Sequence, residues 1–264
     1  MKPQNYALND EQLYHYAPSI FADRPADRVS DEYSFIPTID IVNKLRDNGL
    51  FPVFAKQSSV KDESREGFQK QMIRFRREED LRVLNKGDIL PEVVITNSHD
   101  GLSSYQLMAG IMRCWCDNQC CVGESTFPSI RVRHKGFDPD DVIEASYRII
   151  EDVPKVMDKV EDWKNLPTDK SVQMALAEAS LKLRWDDKAP IDPEHLLLSR
   201  RHADKDEDLW TIYNRIQENL IRGGVKNYSN RKARRTLPIK SIDQDIKINR
   251  NLWDLTSNLY EMVA

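Results

Sequence analysis

Residues 92–121 constrain the fold more than any other stretch of this chain. Glu92-Val93-Val94-Ile95-Thr96 is apolar and β-branched, the composition of a strand. Asn97-Ser98-His99-Asp100-Gly101 follows, turn chemistry that ends on the Asp-Gly pair favoured by type I′ hairpins. Residues 105–116 then return as a long apolar run. Two strands this close in sequence can pair only antiparallel, because a parallel crossover needs a dozen or more residues. A hairpin with a tight polar tip is therefore the seed around which the other elements must be arranged.

The flanking segments extend this seed. Asn9 and Asp10 can cap a short helix that Pro18 stops. Thr38 is a candidate N-cap for a second helix, with Ile39, Val42 and Leu45 as its apolar stripe and Gly49 at its end. Residues 51–57, 68–77 and 129–134 read as further strands. In the second of these, alternation puts Met72, Arg74 and Arg76 on one face and Ile73 and Phe75 on the other; in the third, Arg131 and Arg133 share a face. Beyond Gly136 the pattern becomes helical. A long helix opens at Asp138-Pro139 with a kink expected near Pro154, and further helices cover residues 168–185, 206–221 and 241–260. The expected class is α+β, an antiparallel strand meander preceded by a helix and followed by a helical C-terminal half. The expected division is a sheet region, 1–135, and a helical region, 136–264, within one compact unit.

With 264 residues, 40% hydrophobic and 31% charged, the chain can build a normal buried core. A net charge of −4 excludes a uniformly basic surface but leaves room for a local one. No apolar run approaches the roughly 20 residues a membrane helix needs, and no apolar core follows Met1-Lys2-Pro3-Gln4-Asn5. The expected compartment is the cytoplasm, with reduced cysteines.

Against that acidic background, residues 222–240 stand out. They hold seven basic side chains, Arg222, Lys226, Arg231, Lys232, Arg234, Arg235 and Lys240, and no acidic one. Gly223, Gly224 and Tyr228 are interleaved with them. Several cations on a conformable backbone, with a ring for stacking, suit a phosphate backbone; the plainer alternative is a solvated loop. The strand-borne cations Arg74, Arg76, Arg113, Arg131, Arg133 and Lys135 could form a basic floor on a sheet face. Equally, an antiparallel sheet needs a polar outer face in any case.

Other constellations carry less. His99 beside Asp100 suggests acid–base chemistry, yet neighbours on an extended chain face opposite ways, and the tip residues also serve as turn formers. Asn97, His99 and Asp100 are kept as candidate ligand contacts rather than catalytic groups. Cys114, Cys116, Cys120 and Cys121 are spaced C-x-C-x3-C-C, unlike paired zinc knuckles, and no metal or cofactor is expected. His195 and His202, near Arg200-Arg201, read as surface residues. The P-loop, the dinucleotide fingerprint and the zincin motif are all absent.

Several motifs occur together in one order: Ile36-Pro37-Thr38, Gln57-Ser58, Met72-x-Arg74-Phe75-Arg76, Asn97-Ser98-His99-Asp100-Gly101, Gly110-x-x-Arg113 and His134-Lys135-Gly136. Glu218-Asn219 before Gly223-Gly224, and Asp245-Ile246-Lys247-Ile248-Asn249 with Leu252-Trp253, continue the series. The chain thereby resembles an uncharacterised family of phages, prophages and plasmids, domain of unknown function 932. It departs at Gln71, where relatives usually carry a histidine, and at Gln119, where they carry a glycine. The resemblance transfers no catalytic residue. It implies a cytoplasmic accessory protein of a mobile element, connected with replication, recombination or evasion of host defence.

The leading expectation is a nucleic-acid-binding accessory protein, single-stranded DNA favoured, with no chemistry of its own and with homo-oligomers open. The alternative is a counter-defence or regulatory protein that binds a host protein. A third reading makes His99 and Asp100 a hydrolytic or nuclease pair.

Overall fold

The computed structural model describes residues 6–30, 33–81, 88–113, 118–123, 126, 129–132, 139–227 and 234–264. The architecture is α+β: N-terminal helices, an antiparallel five-strand meander, then a helical C-terminal half. The chain divides into two compact units, Met1–Gln119 with Phe127–Val153, and Cys120–Thr126 with Pro154–Ala264.

In the first unit, α1 (Asp10–Tyr16) starts on a full capping box: Asn9 accepts from the Gln12 amide, and the Gln12 side chain accepts from the Asn9 amide. After α2 (Thr38–Asp47) the chain enters the sheet through β1 (Leu50–Gln57), β2 (Gln71–Arg77), β3 (Ile89–Asn97) and β4 (Tyr105–Arg113). The strand order is β1-β2-β3-β4-β5, with β5 at Asn118–Cys121, while β6 (Ile130–Val132) pairs with the start of β4. Ile73 opposite Ile95, and Ile95 opposite Leu107, set the register. Two prolines sit where a missing N–H costs little. Pro52 lies at a register shift on the edge strand β1, and Pro91 lies beyond the last residue of β3 that pairs with β2. Ile41, Val42 and Leu45 of α2 are buried, and α2 packs on β1.

Two local expectations are corrected. The β3–β4 connection is not a two-residue turn; it spans residues 98–104, with Gly101 at φ +76°. Thr38 is the first helical residue of α2 rather than its cap, and no side chain caps that helix. Its hydroxyl is instead committed to the interior, as described below.

A single helix, α3 (Pro139–Lys164), passes through Pro154, the residue at which the second unit begins. That unit adds α4 (Lys170–Trp185), α5 (Leu209–Arg222) and α6 (Ile242–Val263), with a short ribbon of β7 (Lys226–Asn227) and β8 (Arg234–Arg235). From Leu209 to Leu220 every residue of α5 except Arg215 is buried, which makes it the central helix. Around it lies an aromatic cluster. Trp163 stands 4.6 Å from Trp253 and 5.4 Å from Tyr213, ring centre to ring centre, and Trp210 stacks on Tyr213 at 5.5 Å. The Trp253 indole donates to Thr126 Oγ1 at 2.8 Å. Among the described residues, no helix is long and apolar enough to cross a membrane.

Candidate functional site

The hairpin connection is a buried polar node. Asn97, Ser98, His99 and Asp100 are each at most 2% exposed. The His99 backbone is held from both sides: its N–H donates to Phe68 O, and its carbonyl accepts from Ala26 N, both at 2.9 Å. Its ring meets Thr38 Oγ1 at 2.9 Å through Nε2 and packs edge-on against Phe35. Tyr105 OH lies 3.3 Å from the same hydroxyl, and the Gln71 amide 2.8 Å from it. With its oxygen toward Thr38, the Gln71 amide nitrogen donates to Gln69 O and Asn97 O. Gln71 thus satisfies three groups at the position where relatives were expected to carry a histidine. Burial pushes the Tyr105 phenol well above its ordinary pKa, so it stays a neutral hydrogen-bonding group.

Asp100 turns away from this node. Burial would raise its carboxyl, but hydrogen bonds from Ser98 Oγ (2.7 Å) and Leu102 N (3.1 Å), with Arg65 at 2.8 Å, hold it below the usual carboxylate range. His99 Nε2 thus meets Thr38, while the Asp100 carboxylate meets Arg65. Asn97, His99 and Asp100, the candidate ligand contacts at this tip, are buried and hydrogen-bonded within the protein. Because the folded pKa of Asp100 is depressed, its contribution exists above the unfolded value near about 3.9 and is lost as pH falls through the folded value. Asp100→Asn is expected to cost about 1.5–3 kcal/mol at pH 7, and urea midpoints of variant and wild type should converge as pH falls through the folded value of Asp100. A gap that does not narrow as the carboxylate is protonated would contradict this.

Among the described strand arginines, Arg74, Arg76 and Arg113 are buried rather than set on an exposed sheet face. Arg74 and Arg76 are 2% and 1% exposed and both pair with Glu92. Arg74 Nη1 reaches Oε2 at 2.9 Å, and Arg76 reaches Oε1 through Nε (2.9 Å) and Nη2 (2.7 Å). The register explains the meeting: Phe75 faces Val93, so the next step brings Arg76 to Glu92. Arg113 is buried on β4, opposite Ile89. Arg131 alone of these four is exposed, opposite Gln106. Arg133 and Lys135 lie outside the described residues, as do Tyr228, Arg231 and Lys232 of the basic loop and Cys114 and Cys116.

The described part of the basic loop gives a different picture. In the second unit a cleft of about 650 Å³ is lined by His195, Leu198, Ser199, Arg200, Asn219, Gly224, Val225, Lys226 and Arg235. Among the described residues, no carboxylate lines it. Three chain segments build its walls. The first is a 3-10 turn (Pro193–Leu197) and the chain after it, tied down because Asn219 Nδ2 donates to Leu196 O and Leu198 O. The second is the end of α5. The third is the β7–β8 ribbon, which sets Lys226 directly opposite Arg235 and Asn227 opposite Arg234. Like charges facing each other across a ribbon repel. Among the described residues neither Lys226 nor Arg235 has a carboxylate partner; Arg235 donates to Gly224 O at 2.9 Å.

Arg200 completes the cationic wall. It donates to neutral acceptors, Asn219 Oδ1 at 2.9 Å and the Gly223 carbonyl. The nearby carboxylate, Glu218, is engaged by Arg201 at 2.5 and 2.8 Å and by Arg222 at 3.2 Å. Desolvation, together with the neighbouring Arg222 and Arg201 charges, lowers the Arg200 pKa against the pull of Glu218. Arg222, expected to hold phosphate, is thus partly committed to Glu218.

Of the residues that line the cleft, Lys226 and Arg235 are candidates in the sequence, His195 reads there as surface, and Leu198 and Arg200 are not singled out. The one available signal was the crowding of His195, Arg200 and Arg201 in a segment with no helical period. Only tertiary structure shows that this segment faces the basic ribbon.

These elements define an α+β protein whose helical unit carries a cation-lined cleft. The chain belongs to the family described as a domain of unknown function (DUF932), which matches residues 25–253. It is 39% identical to the UPF0380 protein YfjQ and 38% identical to the UPF0380 protein YafZ, both of Escherichia coli (strain K12). Each match runs over 254 residues, 96% of this chain and 91% of the relative. No solved structure matches the chain.

Proposed function

We propose that this protein binds nucleic acid, single-stranded DNA in preference to duplex, through the cationic cleft and ribbon of its helical unit, and performs no chemistry on it. The carrying observation is a cleft that gathers Arg200, Lys226 and Arg235 with no carboxylate on its walls among the described residues, in a chain of net charge −4. A phosphate backbone supplies the negative charge that would relieve the repulsion between Lys226 and Arg235. The apolar side of the cleft, Leu198 and Val225, suits an unpaired base and offers nothing to a closed duplex. The setting, an accessory protein of a phage or plasmid in the cytoplasm of a bacterial host, belongs to the same proposal and rests on the family resemblance alone.

Fluorescence anisotropy with labelled single- and double-stranded 30-mers, across 50–300 mM salt, tests the reading. Tighter binding of the single strand is expected, with log K falling linearly against log salt. Lys226→Ala with Arg235→Ala should weaken it at every salt concentration and reduce the slope by about 1.4, at roughly 0.7 per lost phosphate contact. Absence of salt-dependent binding by the wild type would overturn the proposal.

A further inference from the structure

Resting on that reading, we propose that the cleft captures a strand end, taking a terminal nucleotide that bears a phosphomonoester rather than an internal stretch of the polymer. The first argument is size. A cleft of about 650 Å³ walled by three chain segments falls within the about 300–1,000 Å³ of small-molecule sites and has room for one nucleotide.

The second argument is charge. An internal phosphodiester carries one negative charge, while a terminal phosphomonoester carries about 1.5 to 2 near neutral pH. Arg200, Lys226 and Arg235 converge on one cleft, and the adjacent carboxylate, Glu218, already serves Arg201 and Arg222. That surplus of positive charge matches a doubly charged group better than a singly charged one.

The third argument is preorganisation. Arg200 is fixed by Asn219 Oδ1 and the Gly223 carbonyl, and Arg235 by the Gly224 carbonyl. Guanidiniums held by neutral acceptors keep their charge and lose little rotamer freedom on binding. Leu198, 57% exposed, supplies an apolar surface on which the nucleoside of the same terminal residue can lie, backed by the buried Val225.

The experiment compares one 20-mer single strand in three forms, with a 5′-phosphate, with a 3′-phosphate and with both ends as hydroxyls. Thymidine monophosphate, thymidine and inorganic phosphate serve as competitors. One phosphorylated form should bind at least about tenfold more tightly than the hydroxyl form, as charge-assisted contacts to one added group allow. Which form does so assigns the end. Thymidine monophosphate should displace it and thymidine should not. Lys226→Ala with Arg235→Ala should abolish the discrimination. Leu198→Ser, at a position 57% exposed, removes apolar surface without adding charge and should weaken thymidine monophosphate more than inorganic phosphate. Equal, salt-dependent binding of all three strands would overturn end capture and leave the nucleic-acid reading standing. Binding of none would overturn both. Inorganic phosphate competing as well as thymidine monophosphate would overturn the assignment of a nucleotide.

Discussion

Glu92→Gln should destabilise the sheet unit by about 3–5 kcal/mol, the usual result of removing one partner from a buried ion pair. Gln keeps the shape of the side chain and removes the charge that Arg74 and Arg76 share, leaving two guanidiniums at 2% and 1% exposure without it. A urea titration followed by far-UV circular dichroism would show the loss as a lower midpoint. Replacing the three residues together by Met, Leu and Met should recover most of the stability, because apolar side chains of similar volume carry no desolvation penalty. A single substitution within about 1 kcal/mol of wild type would mean that the triad is not the counter-charge that its geometry indicates.

Gly223→Ala should be nearly as damaging, and it should also remove binding. Gly223 closes α5 at φ +62°, ψ −146°, a region essentially reserved for glycine. A Cβ there would lie 2.6 Å from Leu237 C and O and from Thr236 O, all backbone atoms. Strain of about 1–3 kcal/mol adds to that collision, for an expected loss of about 3–4 kcal/mol in thermal or urea unfolding. The Gly223 carbonyl also anchors Arg200, so any shift that relieves the clash moves a cation of the cleft. Gly224→Ala is the control. It too has positive φ, +78°, but nothing lies within 4 Å of its Cβ, so it should cost only about 1–2 kcal/mol. Equal losses at the two positions would contradict the collision argument.

Local chemistry made much of the fold legible. The Asn9 cap, the helix stop at Gly49, the antiparallel β3–β4 pair and the end of α5 at Gly223 each follow from a few adjacent residues. Other features depend on partners distant in sequence. Alternation along β2 predicts one wet face, but residues 71–76 are all buried, so Arg74 and Arg76 point to an interior partner and not to solvent. That partner, Glu92, lies sixteen residues beyond Arg76 and becomes visible only with the strand register. Thr38 has the composition of a cap and the position of a first helical residue. His99, Tyr105 and Gln71 claimed its hydroxyl from across the sheet. The cleft was half legible, since a run of cations is written in one segment. The facing segment with His195 and Arg200 carries no pattern of its own and depends on Asn219 to hold it in place.

The aromatic cluster around Trp163 has an optical consequence. Of the five tryptophans, Trp163, Trp185, Trp210 and Trp253 belong to the second unit, and the first contributes only Trp115. Three of the four are at most 3% exposed, beyond the reach of an aqueous quencher such as iodide. With ring centres as close as 4.6 Å, they form a single emitting ensemble rather than independent reporters. Four of the five tryptophans thus sit in the helical unit that holds the cleft, and intrinsic emission reports chiefly on that unit.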